Sequence, residues 1–261
     1  MKSYQYSREK LEPCYYCGAP GTSGEHAPPE MMFKGFGCSF IIVPSCDNHN
    51  SKKSGDDLAI VAAYIEAIDG MIKDNTIAAG HLPKDVQIAV KRAVHKKWFE
   101  NAKNKVRLHP YIEGRDDIVL PRFVSDFNIY VWMRQLTAAL VWSATGYYDR
   151  EINWNKASVF SAQHSPESEP KTEEEAVELY IKNASIENTY NTLFTWSSGW
   201  SSYPNSYPPG IYNFQVSFLP DPSEWHGKEV IFRHQFYRQY NWYVGFAAST
   251  KTKQILRQRT Q

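Results

Sequence analysis

The chain has 261 residues, 42% of them apolar, and a formal net charge of +1. This length allows one large domain or two modest ones with a buried core. A charge so close to zero excludes bulk basicity as the basis of nucleic-acid binding, so a phosphate-binding surface would have to come from local clusters. All four cysteines lie between positions 14 and 46, which favours metal thiolates in a reducing compartment over disulfides.

The sequence contains no apolar run of the length that predicts a secretion signal or a membrane helix. A membrane helix needs roughly 18 or more apolar residues in succession, and the N-terminal ten residues, Met-Lys-Ser-Tyr-Gln-Tyr-Ser-Arg-Glu-Lys, are mostly polar. We therefore expect a cytoplasmic protein with no membrane partner.

Two pairs of possible metal ligands near the N-terminus share a two-residue spacer. Cys14 and Cys17 form the first pair, Cys46 and His49 form the second, and 28 residues separate them. Tetrahedral zinc is commonly enclosed by two such turns. We therefore predict a structural zinc site made of these four residues, with Cys38 either replacing one of them or lying as a buried free thiol in a hairpin turn.

Residues 1–57 are dense in Cys, Gly and Pro and are predicted to form a turn, a hairpin and the start of a helix. A segment this short buries little surface by itself, and a bound metal would supply the missing stability. Apolar residues at helical spacing continue the helix from Asp56 to near Gly70. If His49 and Asn50 open this helix, their side chains diverge by roughly 100°, so that one faces the zinc and the other faces a second site.

A second helix is predicted after Pro83 and through Trp98, and it is unusually basic. Between positions 84 and 107 the only acids are Asp85 and Glu100, against eight Lys or Arg residues. The cations are Lys84, Lys91, Arg92, Lys96, Lys97, Lys103, Lys105 and Arg107. They are either a solvated helix face or a surface for the phosphate backbone, in which case Lys91, Arg92, Lys96 and Lys97 are the candidate nucleic-acid contacts.

The second half of the chain begins with a helix over 127–147 that is apolar nearly all round and is expected to be central to the core. A polar stretch over 161–178 predicts an exposed loop that leads into a helix near Thr172. Between positions 190 and 246, 17 of 57 residues are aromatic, and alternation predicts strands over 212–218 and 229–233. This aromatic sheet is either core or a surface that stacks bases or a planar ligand.

These patterns predict an α+β protein with three regions. Residues 1–57 form a small zinc-stapled module, residues 58–160 form a helical middle that includes the basic helix, and residues 161–261 form a linker, a helix and an aromatic-rich, mainly β region. No internal repeat and no glycine-rich phosphate loop interrupts this order.

Three short motifs occur together between positions 10 and 57. They are Cys14-x-x-Cys17, Gly24-Glu25-His26-Ala27-Pro28-Pro29, and Val43-Pro44-Ser45-Cys46-x-x-His49-Asn50-x-x-Lys53. Together they resemble the zinc-containing branch of the HNH endonucleases, which have the ββα-metal fold. The resemblance covers about a fifth of the chain. It implies that His26 is the general base and that Glu25 and Asn50 hold a catalytic divalent metal, Mg²⁺ or Mn²⁺.

The implied residue types suit hydrolysis of a phosphodiester, which needs a base near neutral pH and a hard cation to neutralise developing charge. Glu25 and His26 can share a site only where their strand ends or bends, because neighbours on a strand face opposite ways. Asn50 has a competing role as a helix cap, and Lys53 either meets a phosphate or is a solvated surface lysine. The chain departs from the family pattern at Ile41, where an asparagine normally orients the base.

The resemblance implies a metal-dependent endonuclease that acts on nucleic acid, with DNA as the preferred substrate, in the manner of phage-defence or mobile-element nucleases. The C-terminal region would then bind nucleic acid, a regulatory subunit or a second copy, or would sense a small ligand that controls cleavage. The alternative is a non-catalytic zinc module in which the four zinc ligands only brace a surface for nucleic acid or protein.

Overall fold

The computed structural model describes residues 12–33, 40–50, 53–73, 83–103, 128–161, 201–202, 211–219, 227–237 and 240–259. In this part of the chain helices combine with antiparallel sheets, in agreement with the predicted α+β class. None of the helices described there has the length and apolar character needed to cross a membrane.

The helices and strands follow one another in this order: β1 (Ser23–Ala27), β2 (Ile41–Ser45), α1 (Ser54–Lys73), α2 (Lys84–Ala93), α3 (Lys97–Lys103), α4 (Ile129–Thr145), β3 (Ser158–Phe160), β4 (Ser201–Ser202), β5 (Tyr212–Phe218), β6 (Val230–Phe236), β7 (Tyr240–Phe246) and α5 (Thr250–Arg259). Short 3-10 turns lie at Glu30–Phe33 and Trp154–Lys156.

The N-terminal elements form a hairpin followed by a helix, as predicted. β1 and β2 pair antiparallel, with Ser23 opposite Ser45 and Ala27 opposite Ile41. His49 and Asn50 do not open α1, however. The backbone N–H groups of both residues donate to the carbonyl of Cys46 and close a turn, and α1 begins only at Ser54. The turn is required because Cys46 and His49 converge on one point.

Helices α2 and α3 pack on α1, whose buried residues include Ile60, Val61 and Tyr64. The single basic helix predicted after Pro83 is in fact two helices, α2 and α3. The chain turns between them, where the N–H of Lys96 donates to the carbonyl of Ala93. Helical spacing continues across such a turn in the sequence, so apolar periodicity alone could not reveal the break.

Helix α4 confirms the prediction of a central helix. The Asn128 side chain caps its first turn by accepting from the N–H groups of Tyr130 and Val131, and Gly146 ends it in the left-handed conformation with a φ of 77°. Its buried residues lie on all sides, from Ile129 to Ala144. A helix that is apolar all round is surrounded by the core.

The five-stranded sheet has the strand order β3-β7-β6-β5-β4, and all of its pairings are antiparallel. The strand predicted over 212–218 is confirmed, and the one predicted over 229–233 extends to Phe236. The aromatic residues of this sheet are core, as one of the two readings predicted: Phe214 and Phe232 are buried, and their rings stack with centroids 6.1 Å apart. Strands β3, β4 and β7 and helix α5 had no individual prediction.

One apolar core joins all three predicted regions. The Tyr64 ring of α1 stacks on Phe236 of β6 at 5.2 Å, and the indole N–H of Trp242 donates to the Tyr64 hydroxyl at 2.9 Å. The Phe33 ring, which follows β1, contacts Tyr212 of β5 at 6.5 Å. The region boundaries stay predictions, and the helix predicted near Thr172 lies outside the described residues.

Candidate metal centre and histidine face

The four predicted zinc ligands come together in the structure. One ligand atom from each of Cys14, Cys17, Cys46 and His49 lies within 4.8 Å of all the others. The sulfurs of Cys17 and Cys46 are 3.8 Å apart, and His49 Nδ1 lies 3.2 Å from the Cys46 sulfur and 3.7 Å from that of Cys14. Zinc bonds of about 2.3 Å to sulfur and 2.0 Å to nitrogen place tetrahedral ligands about 3.8 Å and 3.6 Å apart. The donor set therefore fits a zinc ion with a closed coordination shell.

Two turns present these ligands. In the first, the N–H of Gly18 donates to the carbonyl of Cys14 at 3.0 Å. Gly18 has a φ of 73°, and a Cβ placed there would lie 2.5 Å from the Tyr148 ring. Both facts require glycine at this position. The second turn is the one at Cys46 described above.

Aromatic side chains enclose the cluster on the protein side. The Tyr16 ring lies 4.8 Å from the His49 ring and stacks on Trp154 at 6.4 Å, while Tyr148 covers Gly18. Tyr148 and Trp154 come from a segment more than 90 residues further along the chain. Neither residue was predicted to belong to the site, because no local sequence pattern links a distant aromatic residue to a metal-binding turn.

The charged state of the Cys17 thiol is disfavoured without a cation. Burial is the main cause that raises the pKa of the Cys17 thiol to about 12; the Ala19 backbone lowers this pKa, and the neighbouring Cys14 and Cys46 contribute to raising it. A coordinated zinc ion reverses this balance, because a coordinating thiol is deprotonated. Cys38, the alternative ligand, lies outside the described residues.

His26 lies in β1, and the Asn50 side chain is hydrogen-bonded to the same strand. His26 is half-buried, faces Ile42 across the hairpin, and has the Phe40 ring edge-on at 5.3 Å. The Asn50 amide nitrogen donates to the hydroxyl of Ser23 at 2.7 Å and to the carbonyl of Gly24 at 3.2 Å. Asn50 is therefore anchored to the strand that carries His26, at the positions two and three residues before it.

Glu25 and Lys53 are placed differently from their predicted roles. The Glu25 side chain is only 4% exposed and forms an ion pair with the buried Lys53. Its second carboxylate oxygen accepts from the Ser45 hydroxyl at 3.2 Å. Lys53 is therefore not a solvated surface lysine, and neither side chain reaches solvent. The predicted contacts of Glu25 with a metal and of Lys53 with a phosphate stay predictions that this geometry does not fit.

Ile41 lies in the core, 3% exposed and opposite Ala27. The residue directly across from His26 is Ile42. Neither side chain has a polar atom, so the hairpin strand β2 offers no side-chain group at these positions to orient an imidazole.

The four predicted nucleic-acid contacts are all exposed. Lys91 and Arg92 lie in the last turn of α2, and Lys96 and Lys97 lie at the turn into α3. The opposite side of α2 is buried through Val86 and Val90. The basic face is thus open to solvent, and its binding to nucleic acid stays a prediction.

No protein-family model matches this chain, and no curated protein or solved structure matches it either.

Proposed function

We propose that this protein is an endonuclease of the HNH type that hydrolyses phosphodiester bonds in nucleic acid, with DNA as the preferred substrate. One observation carries the proposal: Asn50 is anchored to the strand that carries His26, while a separate set of four residues forms the candidate metal site. A closed zinc site braces a fold and leaves chemistry to other groups. The hairpin followed by α1 also has the element order of a ββα unit.

His26 supplies the base in this proposal. Its imidazole accepts a proton from a water molecule as the water oxygen attacks phosphorus, and the bond from phosphorus to the leaving sugar oxygen breaks. Histidine is suited to this step because it exchanges a proton near neutral pH. The half-buried position of His26 gives its ring access to solvent and to a substrate at the surface.

The donors for the catalytic Mg²⁺ or Mn²⁺ are incomplete among the described residues. Asn50 has an amide oxygen of the kind these hard cations prefer. The Glu25 carboxylate, however, is buried and occupied by Lys53 and Ser45. The expected pair of ligands therefore does not fit, and we assign no step to the cation. The dependence of cleavage on Mg²⁺ or Mn²⁺ is therefore left to experiment.

The exposed cations of α2 and α3 support nucleic acid as the substrate class. They lie on the two helices that pack against α1, and α1 directly follows the turn that carries Asn50. Phosphate contacts of this kind position a duplex without reading its sequence.

A second candidate is a zinc module that binds nucleic acid without cleaving it. The apolar residues at Ile41 and Ile42 favour this candidate, because a catalytic imidazole is normally held by a polar partner. The basic face of α2 and α3 suits either candidate.

Cleavage of a plasmid, a single-stranded DNA and a structured RNA separates the two. Each is incubated with the wild-type protein, with His26→Ala and with His95→Ala, in Mg²⁺, Mn²⁺ or EDTA. His95 is a matched control, because it is an exposed histidine in the turn between α2 and α3. We expect His26→Ala to lower the cleavage rate at least about 100-fold, the usual contribution of a general base, and His95→Ala to change it less than about twofold.

Cleavage that survives His26→Ala would refute the assigned base. No cleavage of any substrate, together with salt-dependent binding of the same DNA in an anisotropy titration, would favour the binding module.

A further inference from the structure

Glu25 and His26 lie on opposite faces of the hairpin. The pairing of β1 with β2 is regular through both positions, with Glu25 opposite Val43 and His26 opposite Ile42. Successive side chains of a regular strand point to opposite sides. Burial agrees, because Glu25 is 4% exposed and His26 is half-buried. The strand neither ends nor bends between them, which is what a shared site would require.

On its own face, the Glu25 carboxylate is fully engaged. One oxygen pairs with the Lys53 ammonium and the other accepts from the Ser45 hydroxyl. Lys53 also lies 3.5 Å from an Asp57 oxygen and 5.8 Å from the centre of the Trp132 ring. The indole N–H of Trp132 donates to the same Asp57 oxygen at 2.6 Å.

These charges are stable in the interior only together. Burial raises the pKa of Glu25, against a lowering by Lys53. Burial by itself would lower the pKa of Lys53, but Glu25 and Asp57 outweigh it and raise that pKa. An unpaired buried charge is strongly destabilising, so loss of either partner harms the other.

The pair brackets the two residues of the proposed site. Glu25 immediately precedes His26, and Lys53 follows Asn50 by three residues. The backbone N–H of Lys53 donates to the backbone carbonyl of Asn50 at 3.1 Å. A link between Glu25 and Lys53 therefore fixes β1 relative to the turn that carries Asn50.

We infer that Glu25 and Lys53 are positioning residues, whose buried ion pair holds His26 and Asn50 in register, and that Glu25 does not bind the catalytic metal and Lys53 does not contact phosphate. The consequence for cleavage rests on the proposed function. The pairing itself does not, so the two can be tested apart.

The first test needs no activity. Folding equilibrium constants are measured by urea unfolding for Glu25→Leu, Lys53→Met and the double variant, with zinc content as a check on the metal site. We expect each single substitution to lower the constant about 100-fold or more, because Lys53→Met leaves the buried Glu25 carboxylate without its cation and Glu25→Leu leaves Lys53 only the longer 3.5 Å contact with Asp57. The double variant should recover at least about tenfold of the combined loss. If the loss in the double variant equals the product of the losses in the two single variants, the side chains act independently and the inference is overturned.

Lys73→Met is the matched control for the lysine. Lys73 pairs with Asp69 on the same helix, with the same four-residue spacing as Lys53 and Asp57, but its side chain is 71% exposed. We expect less than about a twofold effect, because exposed ion pairs contribute little.

The second test measures cleavage kinetics and Mn²⁺ dependence on the same variants. Positioning predicts that both single variants lower kcat with KM unchanged, that the Mn²⁺ concentration for half-maximal rate stays within about twofold, and that the double variant regains activity. A tenfold higher Mn²⁺ requirement in Glu25→Leu alone would make Glu25 a ligand and overturn the inference.

A third measurement tests metal binding by Glu25 even if the protein shows no cleavage activity. Binding of Mn²⁺ to wild type and Glu25→Leu is followed by the electron paramagnetic resonance signal of the free ion. Equal binding, or none by either protein, is the expected result; tighter binding by wild type would again assign Glu25 to the metal. In a protein without cleavage the proposed function fails, whereas the urea cycle and this titration still decide the role of the pair.

Discussion

The hairpin with its four candidate metal ligands and the aromatic sheet are stabilised by different combinations of contacts. The hairpin and its turns converge on four ligand atoms and a buried ion pair. The sheet is stabilised by ring packing, with Phe236 touching Tyr64, Trp132 and Tyr212. Both regions share one apolar core, but the first adds a few specific polar and ligand atoms to it, whereas the second depends mainly on apolar area. Perturbations aimed at one region should therefore differ in kind from those aimed at the other.

Loss of zinc should have the largest effect. In Cys46→Ser we expect the zinc content to fall from about one ion per chain to near zero, and amide protection of β1 and β2 to be lost first, because binding energy at structural zinc sites is folding energy. Metal analysis and hydrogen exchange measure these two quantities. Cys38→Ser is the control that should retain zinc. Full zinc content in Cys46→Ser would refute the ligand assignment.

An aromatic truncation in the sheet should have the next largest effect. Phe236→Ala removes a fully buried ring and should lower the free energy of unfolding by about 3–5 kcal/mol. We expect its zinc content to be unchanged. If the variant instead loses zinc in proportion to its loss of stability, the two regions unfold as one unit and the contrast between them disappears.

The smallest of these effects concerns pH. His234 is fully buried between the Thr137 and Tyr212 hydroxyls, and burial lowers its pKa to about 3. The unfolded chain takes up a proton below about pH 6.5 and the folded protein does not, so stability is complete above that pH and falls toward pH 3. The slope is at most about 1.4 kcal/mol per pH unit.

Urea unfolding at pH 7.5 and pH 5.0 checks this, with His234→Gln as the comparison. Wild type should lose about 2 kcal/mol more than the variant between the two pH values. Zinc ligands and carboxylates are common to both proteins, so their contributions cancel. Equal losses would mean that His234 already titrates normally in the fold.

The sequence could predict features that depend on residues close together in the chain. The spacing of Cys14, Cys17, Cys46 and His49 predicted the metal cluster, and apolar periodicity predicted α1, α4 and β5. It could not predict partners that meet only in the fold. No local sequence pattern indicates that Glu25 forms an ion pair with Lys53, 28 residues away, and not a contact with a metal ion. Helix α5 was missed because it is polar on most sides, with Thr252 and Leu256 its buried residues.

The neighbouring side chains of Tyr147 and Tyr148 contact two different parts of the protein. Tyr148 covers Gly18 at the zinc turn, while the Tyr147 hydroxyl meets Thr252 of α5 at 2.6 Å. The hydroxyl of Thr252 in turn donates to the buried Asp149 carboxylate. The candidate metal ligands are thus close in sequence, but the aromatic residues packed against their turns come from the middle of the chain, in a segment that is hydrogen-bonded to the C-terminal helix α5. A fragment of residues 12–57 transplanted to another scaffold would carry every zinc ligand and still lack the support that this fold gives them.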